Sequence, residues 1–294
     1  MSKWKIALAM SLAFGCVSVI SAQENSATVP KVLQVTREYV KAGRVGLAHE
    51  KTETAFVEAF RKANWPTNYI GMTSLSGRSR ALFLTSYATF EAWEKDNAAI
   101  ARNSELSSAI DKAEMADGDI LDSLDQMVFY YDKDLSLNPK SDLAPMRFYE
   151  FTSFQIKPGK ESEWREVVKM AKGGYEKGMP DAHWGMFSLV YGGTEAGGEY
   201  VAITGHKSLA EVDRGFAEGK KFQEAMGDEG MKKLDAMFAD CVSGTSQTLF
   251  AVNPHMSYVS EDWIKSDPSF WEGKSSAASV PTTSSSHEQQ PAQR

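Results

Sequence analysis

Cysteine is the scarcest informative residue in this 294-residue chain, with only Cys16 and Cys241. One cysteine left in the body of the chain excludes an internal disulfide, so stability must come from apolar cores alone. Lys and Arg never cluster and the net charge is −7, which argues against a nucleic-acid partner. No GxGxxG, P-loop, HExxH, CxxC or GxSxG pattern occurs. The usual dinucleotide, nucleotide, zinc-protease and serine-hydrolase chemistries therefore lose their support.

Long apolar runs are missing too, except near the start. Lys3 and Lys5 precede the apolar run Ile6 to Ile20, and Ser21 and Ala22 follow. That pattern predicts a signal peptide over 1–22 and an exported protein, periplasmic or extracellular. A lipoprotein reading through Cys16 is disfavoured by Phe14 before Gly15 and by the apolar VSVI behind it. After removal of the signal, no stable membrane insertion is expected. At the other end, residues 273–294 hold almost nothing apolar and read as a disordered Ser/Thr/Gln-rich tail.

What is present is an order of elements written twice. "YVKAGR" (39–44) and "QIKPGK" (155–160) each lead from an extended run through a glycine turn into a helix, with Gly43 and Gly159 116 positions apart. The second helix carries Trp164, Val167, Val168, Ala171 and Tyr175 on one stripe; the first carries Phe56, Val57 and Phe60. Two short strands follow in each half: YIGMTSL and RALFLTSY, then HWGMFSLVY and EYVAITGH. Thr89 and Ser208 are natural N-caps of the next helices, with Glu211 placed to complete a capping box. QMVFYYDKDLSL and QTLFAVNPHMSY then supply the closing strands.

Each half thus reads βαββαβ, a ferredoxin-like unit with helices on one sheet face and an apolar face left to cover. The expected fold is α+β: two tandem units, 32–137 and 146–260, joined by a linker at 138–145 and packed sheet to sheet. The strand-to-helix openings and the paired ends "DKDLSL" and "NPHMSY" resemble the dimeric α/β barrel superfamily, in its NIPSNAP-like and antibiotic-biosynthesis-monooxygenase-like branches. The resemblance implies a barrel with a small-molecule pocket. It also implies a set of chemistries that includes cofactor-independent oxygenases, isomerases and haem proteins of the chlorite-dismutase type.

His183 and His206 are the leading catalytic candidates. A hairpin turn centred between Thr194 and Glu195 would pair them across strands, with Tyr191 and Tyr200 further along the same face and Trp184, Met186 and Ser188 opposite. The plain alternative is two strand-end histidines near solvent. Glu150, the third candidate, would be desolvated on a face covered by another sheet and suited to general-base work, or else paired with Arg147. Trp184, Tyr149, Tyr191, Tyr200 and Tyr87 are the expected ligand-binding side chains, although Trp184 is also a natural core residue. His255 is the one residue that could ligate haem. His49 is expected to face solvent and Cys241 to be an apolar core residue.

The functional expectation is an exported barrel binding a small apolar or aromatic molecule, as monomer or homodimer, with no metal and no cofactor. The alternatives are a cofactor-independent monooxygenase or isomerase, and a haem-binding barrel.

Overall fold

The computed structural model describes residues 30–140, 142–192 and 198–272. The expected signal segment, the tail, Ser141 of the linker and the centre of the second hairpin lie outside them. Strands β1 (Val32–Val40), β2 (Tyr69–Ser74), β3 (Arg80–Tyr87) and β4 (Leu121–Leu137) belong to the first half. Strands β5 (Phe148–Ile156), β6 (Trp184–Tyr191), β7 (Gly198–His206) and β8 (Val242–Val252) belong to the second. All eight close into one antiparallel barrel in the order β1-β3-β2-β8-β5-β7-β6-β4. Within each half the order is that of a ferredoxin-like unit, β4-β1-β3-β2 and β8-β5-β7-β6. The two units do more than cover each other. Backbone pairing runs across both seams, β2 with β8 and β4 with β6, so no sheet edge is left open.

The glycine turns that open the two units have a conformational cause. Gly43 and Gly159 sit at φ +81° and +75°, where a Cβ is disfavoured. Each turn delivers the chain to an outer helix: α1 (Leu47–Lys62) in the first half and, in the second, a helix over Glu161–Gly178. Two more helices in the first half, α2 (Phe90–Arg102) and α3 (Ser104–Gly118), replace the single one expected. Thr89 caps α2 as expected, its hydroxyl accepting from the Ala92 N–H at 3.1 Å. The Glu161–Gly178 helix is α4, and α5 (Leu209–Cys241) is interrupted at Gly227, φ +66°. Ser208 begins α5 without a side-chain cap, and the Glu211 carboxylate instead accepts from the Lys207 N–H at 2.8 Å. The closing segment after β8 is not strand throughout. A 3₁₀ turn at Pro254–Met256 follows, then the short helices α6 (Glu261–Ser266) and α7 (Pro268–Trp271).

Alternation along the strands divides the core in two. Leu33, Val35, Leu84, Phe129, Phe187 and Phe250 point into the barrel, and Trp271 of α7 packs against the same cluster. Outside it, Trp164, Val167 and Val168 of α4 pack with Phe154, Tyr200, Leu234 and Cys241. Trp164 is 2% exposed, and its ring lies tilted against Phe154 with centroids 4.7 Å apart. A buried aromatic removes roughly 150–250 Å² from water, an upper bound of about 4–6 kcal/mol. Among the described residues no helix is long and apolar enough to cross a membrane.

Candidate functional site

The barrel interior holds two cavities, of about 120 Å³ and 110 Å³, that share Leu33, Phe187 and Ile203 as a common wall. The first is apolar through its middle and polar at one end, where Arg37, Arg80, Glu199 and Thr248 converge. The two arginines are not equivalent. Arg37 donates to both Asp125 oxygens, at 2.9 and 2.8 Å, and is neutralised there. Arg80 donates to the neutral Thr248 hydroxyl at 2.6 Å, and no carboxylate among the described residues lies within salt-bridge distance of it. Burial holds its pKa below the ordinary arginine value, and the neighbouring Arg37 and Arg78 add to that direction. The cavity therefore ends in a half-buried guanidinium that makes no salt bridge, with the Glu199 carboxylate lining the same space.

The second hairpin corrects the expected register. The ladder pairs Gly185 with Ile203, Phe187 with Val201 and Ser188 with Tyr200, one residue away from the pairing that would set His183 opposite His206. That slip exchanges faces. Trp184, Met186 and Ser188 share the helix-facing side with Tyr200, Ala202 and His206, while Phe187 points inward. Burial decides the register: this pairing places Phe187, Val201 and Ile203 in the barrel core and Met186 and Tyr200 under α4.

The two imidazoles are still near neighbours, with ring centroids 6.5 Å apart. His183 borders the second cavity with a backbone carbonyl at each nitrogen, Asp181 O 3.1 Å from Nδ1 and Gly205 O 2.9 Å from Nε2, and a neutral ring donates to one of the two. His206 lies on the outer face, its Nε2 buried without a hydrogen-bond partner. Burial lowers its pKa, and the nearby Glu150 opposes that shift. Glu150 is half-buried on the same outer face, between Thr204 and Leu249, under helices and not under another sheet. Arg147, its alternative ion-pair partner, is engaged elsewhere, bonding Asp267 Oδ2 at 2.5 Å and lying over the Phe270 ring.

The expected ligand-binding aromatics are scattered. Tyr149 lines the second cavity; its hydroxyl is buried without a partner and its pKa is raised by burial. Trp184 borders the same cavity, but its indole N–H donates outward to Leu135 O at 2.9 Å and its ring packs on Tyr175. Tyr200 is under α4 beside Trp164. Tyr87 packs on Trp93 outside the barrel and donates to Asp96 at 3.0 Å. Tyr191 is 61% exposed.

His49 overturns its expectation outright: it is 2% exposed. Its Nε2 lies 2.9 Å from Glu38 Oε2, 3.7 Å from Asp117 Oδ1 and 3.8 Å from Glu53 Oε1. All four side chains are buried between the outer face of β1 and the helices α1 and α3. Burial, reinforced by Glu38 and Asp117, pushes the Glu53 carboxyl up to about 10. A signal for it was in the sequence. His49, Glu53 and Val57 stand at i, i+4 and i+8, one helix stripe, and Val57 belongs to the apolar stripe of α1.

Haem does not fit the barrel interior. Each cavity is far below the several hundred Å³ of a typical ligand pocket. His255 and His206, the histidines with an unpartnered buried Nε2, line neither of them.

No protein-family model matches this sequence, and no curated protein matches it. Among solved structures the chain is similar to a monooxygenase candidate from Fusobacterium nucleatum, at 12% identity and TM-score 0.47 over 76% of this chain and 93% of that one. An anthrone oxidase-like protein is similar at 13% identity and TM-score 0.46, over 77% and 93%. A chlorite dismutase from Candidatus Nitrospira defluvii is similar at 10% identity and TM-score 0.46, over 81% and 96%. At such identities the likeness says nothing of substrate or cofactor.

Proposed function

We propose that this chain is an exported barrel that binds a small apolar or aromatic acid inside the barrel, ring inward and carboxylate on Arg80. The observation that carries the reading is the guanidinium at the end of an apolar cavity that bonds a neutral hydroxyl and makes no salt bridge among the described residues. A half-buried guanidinium bonded to a neutral hydroxyl has donors to spare, and the carboxylate of a ligand would take them as charge-assisted hydrogen bonds. The cavity of about 120 Å³ suits one ring or a short branched chain. An engineered cavity of about 150 Å³ is known to hold benzene. Export rests on the signal pattern of residues 1–22. The Arg80–Thr248 end serves recognition, and no step of chemistry is assigned to it.

The test is calorimetric titration with benzoate and with the neutral benzyl alcohol, on the wild type and Arg80→Gln. Charge-assisted bonds contribute about 1.5–3 kcal/mol, so benzoate should bind about 10- to 100-fold more weakly to the variant, with benzyl alcohol unchanged. Equal benzoate affinity in both proteins would overturn the reading, as would no binding of any ring-sized acid.

A further inference from the structure

The geometry points to a divalent-cation site formed by Glu38, His49, Glu53 and Asp117, of the Mn²⁺, Fe²⁺ or Zn²⁺ class, that ties α1 and α3 to β1. One ligating atom from each residue lies within 4.8 Å of all the others, and every residue is buried, at 2–6% exposure. An imidazole with three carboxylates is a donor set for first-row divalent metals and not for a thiophilic ion such as Cu⁺. Ca²⁺ and Mg²⁺ are disfavoured, because both prefer all-oxygen shells.

The cluster is more than a group of acids. Glu53 Oε1 is buried and has no hydrogen-bond partner, and it faces His49 Nε2 at 3.8 Å. Glu53 itself is 3% exposed. No Lys or Arg among the described residues lies within salt-bridge reach of Glu38, Glu53 or Asp117; the His49 imidazole is the basic group that faces all three. Three buried carboxyl groups converge on one imidazole with no Lys or Arg among the described residues to balance them, and a divalent cation can take the place of a shared proton.

A supporting residue is in place as well. Thr52 Oγ1 donates to Asp117 Oδ1 at 2.6 Å, the outer-sphere contact that orients a ligating carboxylate. The second unit shows the apolar solution to the same packing problem. There Phe154 of β5, 116 positions after Glu38, meets Trp164 of α4 with centroids 4.7 Å apart. The first unit places ligating groups where its counterpart has a ring pair.

The experiment uses the full chain, treated with chelator, desalted and titrated with Zn²⁺ and with Mn²⁺ by calorimetry. Bound metal is counted by elemental analysis, and melting is followed with and without metal. Expected are one ion per chain, a metal-dependent rise in melting temperature, and affinity at least about 100-fold weaker in Glu53→Gln and His49→Gln. Thr52→Val should weaken binding about 10-fold, as loss of an outer contact does. If His49→Gln does not fold, the near-isosteric Glu53→Gln decides. No stoichiometric ion on the folded wild type, or wild-type affinity in Glu53→Gln, overturns the proposal. Glu53 would then be a protonated carboxyl sharing its proton with a neighbour.

Discussion

Phe187 forms the wall between the two barrel cavities, and its removal tests packing and binding together. The side chain is 7% exposed, contacts the Tyr131 ring at 5.5 Å, and borders both spaces. Phe187→Ala loses the transfer free energy of the ring and leaves a void that the barrel strands cannot collapse to fill. Phe→Ala changes in cores cost about 3–5 kcal/mol. The existing cavities mean that Phe187 already lacks neighbours on two sides, which places it near the lower end, about 3–4 kcal/mol. For a domain of this size that is a fall of about 6–16 °C in melting temperature. Urea denaturation gives the free energy, with m unchanged if only packing is lost. The same variant joins two cavities of about 120 and 110 Å³ into one. A two-ring acid such as 2-naphthoate should therefore bind the variant better than the wild type, while Arg80→Gln added to it cancels the gain. A loss below about 1 kcal/mol, with no gain in naphthoate affinity, would refute the placement of Phe187 between two spaces.

Three further outcomes follow from other parts of the molecule. Gly43→Ala and Gly159→Ala should each cost about 1–2 kcal/mol through φ alone, because an added Cβ would meet nothing within 4 Å at either position; a neutral effect in thermal melts would show that the turns can change shape. Asp96 accepts from Trp65 Nε1, Thr67 Oγ1 and Tyr87 Oη at 3.0, 2.8 and 3.0 Å, so Asp96→Ala should lose about 2–3 kcal/mol in urea, and a loss under about 0.5 would contradict that. His206 has its folded pKa lowered by burial, so the unfolded chain takes up the proton first as pH falls below about 6.5. Stability then declines on the acid side until the folded pKa is passed, and His206→Gln should flatten that slope relative to wild type. Parallel slopes would assign the acid sensitivity to other groups.

The fold was legible because each element carries its own signal. The amphipathic stripe of α4, the Thr89 cap and the two glycine turns all depend on local spacing, and all lie where the spacing puts them. The second hairpin was less legible. Its register depends on which residues fill the barrel and which lie under α4, and a turn containing several glycines leaves a one-residue slip locally free. The split of one expected helix into α2 and α3 turns on Asn103, whose side chain caps α3 by accepting from the Leu106 N–H at 3.1 Å. His49 was misplaced for a different reason. The residues after it, Glu50, Lys51 and Thr52, are polar, and only the fold brings Glu38 and Asp117 to its ring. Likewise Arg80 looks ordinary in sequence, and its lack of an acidic partner exists only once β3 and β8 both face the barrel interior.

The most direct measurement for the central claim is a crystal structure of the protein soaked with thiophene-2-carboxylate, whose sulfur can be located by anomalous scattering. The account predicts a sulfur peak inside the barrel near Phe187, with the carboxylate on the Arg80 guanidinium. A peak on the outer face near His206 and Glu150, with the barrel cavity unchanged, would contradict it.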